Sequence, residues 1–251
     1  MLKYRIIPCL DVKDGRVVKG VNFENLIDSG DAITQSQYYY EQGADELCFL
    51  DITASKENRS TMFAMVEKLA TKCFIPLTVG GGISKIEDFS TLLKCGADKI
   101  SINSSAIKNP QLIVDASNKF GSQAVVVAID CKKNSSGTYE IFTHGGSKST
   151  GINALEWAIQ AEKLGAGEIL LTSMDKDGTK SGYDLELIKL ITSHIKIPLI
   201  ASGGVGSLEH FAQGLQAGAS AVLAASIFHF KQHSIREAKE FLQKQNLAVR
   251  L

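Results

Sequence analysis

The sequence predicts an α/β fold, a (β/α)8 barrel assembled from two duplicated half-barrels, and three observations predict it. Short apolar runs alternate eight times with amphipathic stretches of helical length along 251 residues, which is the arithmetic of eight βα units. Runs such as AVVVAID and KISIN read as parallel strands buried on both faces. The chain also repeats itself. Residues 75–106 align without gaps on 197–228 at an offset of 122, with 11 of 32 positions identical, and the same offset lays 43–51 on 165–173. That period is too long for a solenoid unit and points to a duplicated half-domain, with halves near 1–120 and 121–251 of one barrel domain. A doubly wound open sheet is the runner-up, and it explains the repeat less well.

The first half opens with a strand at 4–10, a long Gly-, Lys- and Asp-rich connection at 12–30 and a helix at 31–43. Strands at 46–51, 75–79 and 98–102 then alternate with helices at 58–72, 84–95 and 109–119. The second half follows the same plan: a strand at 123–129, a long connection at 131–151 and a helix at 152–164. Strands at 167–172, 197–201 and 220–224 alternate with helices at 184–194, 207–217 and 233–244. The strands are short aliphatic, β-branched runs. Several helices open on Ser or Asp, whose side-chain oxygen accepts from the first N–H groups of the helix. Each long connection follows the first strand of a half, and VVKGVNF and TYEIFTH within them read as short extra strands.

Composition bounds the function. Hydrophobic residues at 44% and charged residues at 22% are ordinary for a globular protein with a large core. The 27 basic and 27 acidic side chains cancel, so no overall field draws the chain to nucleic acid or an anionic membrane. An anionic ligand must be held locally. The five cysteines are odd in number and lack a C-x-x-C pair, which fits reduced thiols in a cytoplasmic protein and argues against disulfide or zinc frameworks. The opening residues lack a signal-peptide pattern and no stretch is apolar enough to span a membrane. The five histidines have no metal-ligand spacing and read mostly as surface residues, Trp157 as outer packing, and neither metal nor cofactor is expected.

In such barrels the working face lies at the carboxyl ends of the strands. The polar and glycine positions there are Asp11, Asp51, Gly81, Gly82, Asn103, Ser104, Asp130, Thr172, Asp177, Gly178, Ser202, Gly203, Gly204 and Ser226. Asp11 closes the first strand and Asp130 the fifth, which lie across from each other in a ring of eight. Either alone reads equally well as a loop cap, but two at equivalent places favour general acid and base work on a ligand between them. Gly81 and Gly82 follow the third strand, and Gly203 and Gly204 the seventh; a backbone without Cβ lets N–H groups approach an anion. Asn103 with Ser104, and Ala225 with Ser226, end the fourth and eighth strands, where a helix start adds a positive dipole. Two opposed grips predict a ligand with two phosphates and chemistry at its middle. Strand parity also sends Arg5 and Lys99 inward at the opposite end, with Glu46 and Glu168 beginning their strands beside them. That ring reads either as a stabilising salt-bridge layer or as the gate of an axial passage.

The segments IIPCLDVKDGRVVKGVNF, DELCFLDITAS, TVGGGI, DKISINSSA, AIDCK, LTSMDKDGTKSGYD and ASGGVG closely resemble the cyclase subunit of imidazole glycerol phosphate synthase, nearly end to end. The resemblance implies a (β/α)8 enzyme of histidine biosynthesis. It would use ammonia from a glutaminase partner to convert a bisphosphate, phosphoribulosyl-formimino-aminoimidazole carboxamide ribonucleotide, into imidazole glycerol phosphate and aminoimidazole carboxamide ribonucleotide. Carried over by motif, Asp11 and Asp130 are the catalytic carboxylates. Gly82, Asn103 and Ser104 bind one phosphate, and Asp177, Gly178, Gly204, Ala225 and Ser226 the other, with Thr172 and Ser202 also assigned to substrate. Lys19 helps close the first loop over substrate. Arg5, Glu46, Lys99 and Glu168 become the ammonia gate, and the glutaminase docks on the amino-terminal face, near Asp98, to form a heterodimer. Ser147 and Ser149 depart from the basic residue and proline common in that loop of bacterial relatives. A sister barrel, an isomerase acting on the preceding intermediate, shares the repeat, the grips and both aspartates; Lys19, the gate residues and DVKDGRVVKG favour the cyclase. Relatives that aminate sugar nucleotides lie further away, and a non-catalytic phosphate-binding regulator is disfavoured by the two intact aspartates.

Overall fold

The computed structural model describes residues 3–13, 16–21, 24–52 and 59–251, with the backbone alone for 19–21, 24–29 and 59–61. Eight parallel strands close into a barrel: β1 (Arg5–Lys13), β4 (Leu47–Asp51), β5 (Leu77–Gly80), β6 (Lys99–Ile102), β7 (Val125–Lys133), β10 (Glu168–Ser173), β11 (Leu199–Ser202) and β12 (Ala221–Ala224), the last returning to β1. Helices lie between successive strands, giving the predicted (β/α)8 architecture, the TIM-barrel fold. The main ones are α1 (Ala32–Glu41), α2 (Arg59–Ala70), α3 (Ile86–Lys94), α5 (Gln111–Phe120), α6 (Ala154–Lys163), α7 (Leu185–Thr192), α8 (Leu208–Gln216) and α10 (Ile235–Lys244).

Inward and outward residues alternate along the strands. Ile6 and Leu10 pack outward with the helices, whereas Ile7 and Cys9 turn into an interior cluster with Cys48, Val126, Leu170, Ile200 and Leu223. Trp157 is buried in the outer layer, as expected.

The repeat is visible in the secondary structure. β1 continues into an antiparallel meander with β2 (Arg16–Val21) and β3 (Glu24–Asp31), and β7 does the same with β8 (Tyr139–Thr143) and β9 (Lys148–Asn153). Asp31 then caps α1, its carboxylate accepting from Thr34 N at 2.8 Å, and Asn153 caps α6, accepting from Leu155 N at 2.8 Å. The two caps are 122 positions apart, the offset of the repeat.

The structure shifts several predicted boundaries. β1 and β7 run past residues 10 and 129 because each gains an antiparallel partner, while β5 and β11 start only after Pro76 and Pro198. A proline cannot donate to the ladder, yet both keep their carbonyls in it: Pro76 O accepts from Leu47 N at 2.9 Å and Pro198 O from Ile169 N at 3.0 Å. The predicted extra strands correspond to β2 and β8, although Asn22 and Phe23 lie outside the described residues. β3, β9 and the short helices α4 (Ser104–Lys108) and α9 (Ser226–His229) were not expected from sequence.

Candidate functional site

At the carboxyl ends of the strands lies a cavity of about 1460 Å³. Asp11, Gly82, Asn103, Ser104, Asp130, Thr172, Asp177, Gly178, Ser202, Gly204, Ala225 and Ser226 all line it, so the fold brings together every sequence-predicted ligand residue except Lys19. Lys19 pairs with Ile27 in the first meander, and its side chain lies outside what is described.

β1 and β7 are four strands apart in the ring of eight, so their aspartates face each other across the mouth. Asp11 is buried, and the Cys9 thiol donates to its Oδ1 at 3.6 Å. Asp130 accepts from the Asn103 amide at 2.7 Å. Burial pushes the Asp130 carboxyl up to about 6; hydrogen bonds from Thr172 and Asn103 oppose the shift, and the negative charges of Asp177 and Asp11 reinforce it. An acid poised there can hold or release a proton near neutral pH. Asn103 Oδ1 is buried and has no hydrogen-bond partner among the described residues, which leaves an acceptor for a ligand hydroxyl or N–H.

The two grips are built alike. Gly81 has φ 109, and a Cβ there would come within 2.1 Å of Asp51 O. Gly204 has φ 100, and its Cβ would lie 2.2 Å from Gly182 O. Only glycine suits either turn. Each turn leads into a helix, α3 or α8, and the strand after that helix feeds straight into a short helix headed by a serine: Ser104 starts α4 and Ser226 starts α9. The first N–H groups of a helix lack intrahelical partners and are placed to bind an anion.

Several cavity residues escaped the sequence reading. Lys13, Lys108, His144, Lys148 and Lys180 also line it. His144, in the left-handed region at φ 54, donates its backbone N–H to Ser104 Oγ at 3.1 Å, so the turn between β8 and β9 sits on the first grip. The glycine pair beside His144 was the available signal. Of the five histidines only His229 is buried, in keeping with the expectation that most lie at the surface, and it is hydrogen-bonded to Tyr39 at 2.5 Å.

The barrel's other end is closed by charge. Arg5 bonds Glu46 at 2.7 Å and Glu168 at 2.6 Å; Lys99 bonds Glu46 at 2.9 Å and Glu168 at 2.8 Å. The four side chains thus form a closed alternating ring. Thr78 donates a further hydrogen bond to Glu46 Oε1 at 2.6 Å. Burial works against the Arg5 charge, but pairing with Glu168 and then Glu46 outweighs it and holds its pKa above the ordinary value. Beside the ring, exposed Asp98 accepts from Leu77 N at 2.8 Å.

Residues 5–234 match the family model described as histidine biosynthesis protein. The chain belongs to that family. For a histidine biosynthesis protein, the site combines two glycine turns and two serine-headed helix starts, an opposed pair of acids and a charged ring on the far side of the barrel. The family holds both the cyclase and the isomerase, so membership alone does not choose between them. Among the described residues no helix is long and apolar enough to cross a membrane, and no cluster of three or more His, Cys, Asp or Glu residues is set to hold a metal.

Proposed function

We propose that the chain is the cyclase subunit that converts the phosphoribulosyl bisphosphate into imidazole glycerol phosphate and aminoimidazole carboxamide ribonucleotide with ammonia supplied by a glutaminase. The observation that carries this reading is the ring of Arg5, Glu46, Lys99 and Glu168. A cyclase fed with ammonia from the far end of the barrel would use such a ring as a gate, beyond the salt-bridge stabilisation it would give any barrel. Ammonia entering there meets an interior lined by Ile7, Cys9, Cys48, Leu170 and Leu223. Such a lining favours the neutral molecule over ammonium, because a charge is costly to desolvate.

The grips hold the two phosphates, Gly82 and Ser104 at one end and Gly204 and Ser226 at the other, and the middle of the substrate lies between Asp11 and Asp130. Ammonia attacks the ribulosyl ketone, water leaves to give an imine, and the linker is cleaved as the imidazole ring closes. Each step moves a proton. Asp130, whose carboxyl burial pushes up to about 6, is assigned the first donation, to the departing oxygen. Asp11 is assigned the first abstraction, from the incoming ammonia nitrogen. Lys19 closes the first meander over the bound ligand. The glutaminase docks on the amino-terminal face around the ring and Asp98, in a heterodimer.

The test is to supply the purified chain with the bisphosphate and excess ammonium salt at alkaline pH and follow loss of substrate absorbance. Turnover supports the cyclase. Turnover only with the unrearranged precursor assigns the isomerase instead.

A further inference from the structure

Cys9 and Cys48 occupy adjacent parallel strands in direct register, and both side chains belong to the cluster that fills the barrel interior. The other three cysteines pack on the outer side of the strands, Cys73 and Cys131 within the outer core and Cys95 against it. Neighbouring strands are about 4.8 Å apart, inside the roughly 4.4–6.8 Å between Cα atoms that a disulfide spans. None of the five cysteines is in a disulfide. Cys9 lines the cavity and its thiol donates to Asp11 Oδ1 at 3.6 Å, whereas Cys48 is 1% exposed and lies deeper.

We infer that Cys9 and Cys48 form a dithiol site inside the barrel that a small peroxide oxidises to a disulfide, switching the site off by withdrawing the Cys9 thiol from Asp11. Access is from the mouth of the cavity, so the reagent must be small and the ligand must compete with it. Cys9 gives its proton to the Asp11 carboxylate as its sulfur attacks a peroxide oxygen. The O–O bond breaks, and the departing hydroxide leaves as water by taking the proton that Asp11 received, which returns Asp11 to its carboxylate. Cys48 sulfur then displaces the remaining hydroxyl from the Cys9 sulfenic acid, and that hydroxyl leaves as water with the Cys48 proton. Two thiols lose two electrons and one hydrogen peroxide gains them, giving one disulfide and two waters. A thiol carrying two reduced neighbours on a different face would not close this bond; the register supplies the partner.

The loss of turnover rests on the cyclase reading, but the bond itself does not, so two readouts are needed. The full chain is treated with hydrogen peroxide, desalted, and digested without reductant. The expected result is a linked pair of peptides carrying Cys9 and Cys48 that is short by the mass of two hydrogens. Ammonium-dependent turnover should fall roughly 100-fold, since small misplacements at a reacting centre cost that much, and dithiothreitol should restore it. Saturating bisphosphate should slow the linkage. Cys48→Ser, close in size to cysteine, should keep after peroxide whatever rate it has before it; Cys48→Ala replaces it if the serine variant misfolds. Absence of the linked peptides after peroxide has consumed Cys9 overturns the inference, as does a Cys48 variant that is inactivated as fast as the parent and recovered as fully by reductant. A chain that forms the linkage but turns over neither bisphosphate nor precursor overturns the functional reading and leaves the dithiol site standing.

Discussion

Asn103 donates its side-chain amide to Asp130 over 2.7 Å, so the residue that precedes the first grip's helix also holds one of the two opposed acids. In the proposed reaction, anchoring of the ligand and proton transfer would therefore share a side chain. Asn103→Asp places a carboxylate against Asp130 and beside the bound phosphate, and both contacts become repulsive. Steady-state kinetics should show KM raised and kcat lowered together, with kcat/KM down at least about 100-fold. A change confined to KM would separate Asn103 from the acid.

Asp11→Asn and Asp130→Asn should each lower ammonium-dependent turnover by about 100-fold or more, the usual worth of a positioned acid or base. Substrate should still bind, because Gly82, Ser104, Gly204 and Ser226, the proposed phosphate contacts, are left in place. Turnover assays paired with calorimetric titration of the bisphosphate check this; a variant with near-normal rate removes that residue from the chemistry.

The raised Asp130 pKa makes a stability prediction with a definite sign. The folded chain holds this proton more tightly than the unfolded one, about 6 against 3.8, so the group favours the fold below 3.8 and loses that contribution as pH rises to about 6. Asp130→Asn has no proton to lose. Its stability relative to the parent should be near level at pH 3.5 and rise to a gain of about 1–2 kcal/mol above pH 6.5, a partly exposed site being discounted for solvent screening. Urea denaturation across that range measures it. A difference that does not vary with pH refutes the assignment.

Lys239 of α10 reaches Asp45 at the barrel base over 2.8 Å, with both side chains almost fully buried, and the other Asp45 oxygen accepts from Ile6 N at 2.9 Å. Lys239→Ala strands a buried carboxylate and should cost about 3–5 kcal/mol. Lys239→Met with Asp45→Asn removes both charges and should recover much of that loss. Chemical denaturation of the single and double variants gives the comparison.

Gly204→Ala should cost about 1–3 kcal/mol, because φ 100 is strained for alanine and its Cβ would meet Gly182 O at 2.2 Å. On the proposed reading, in which this turn holds a phosphate remote from the reacting bonds, it should also raise KM more than it lowers kcat. Thermal melts and kinetics together test this.

The barrel was legible because its evidence is spread over the whole chain: eight buried runs, and a repeat that also put Gly82 opposite Gly204 and Ser104 opposite Ser226. Asp11 and Asp130 were legible because strand order alone faces them. The meanders were half legible. β2, RVVKGV, is rich in valine and β8, YEIFT, in aromatic and β-branched residues, whereas β3, ENLIDSGD, and β9, KSTGIN, have little strand propensity and form because a neighbour offers them a ladder. The short helices α4 and α9 contain too few residues for a helical period to show. Lys180 and His144 were missed because they lie in loops, whose course alone decides which way a side chain faces, and Lys13, Lys108 and Lys148 because they sit at the ends of elements whose bounds the sequence did not show.

The twinned grips carry a consequence for how the ligand is told apart end from end. A vessel whose rims match would admit a double-ended guest in either direction, and one of the two would present the wrong bond to the acids. Direction has to come from places where the copies diverged. Asn103 and Ala225 are such a place, the same repeat position with a carboxamide on one rim and a methyl on the other. Turning the guest around would leave that carboxamide facing the wrong half of it.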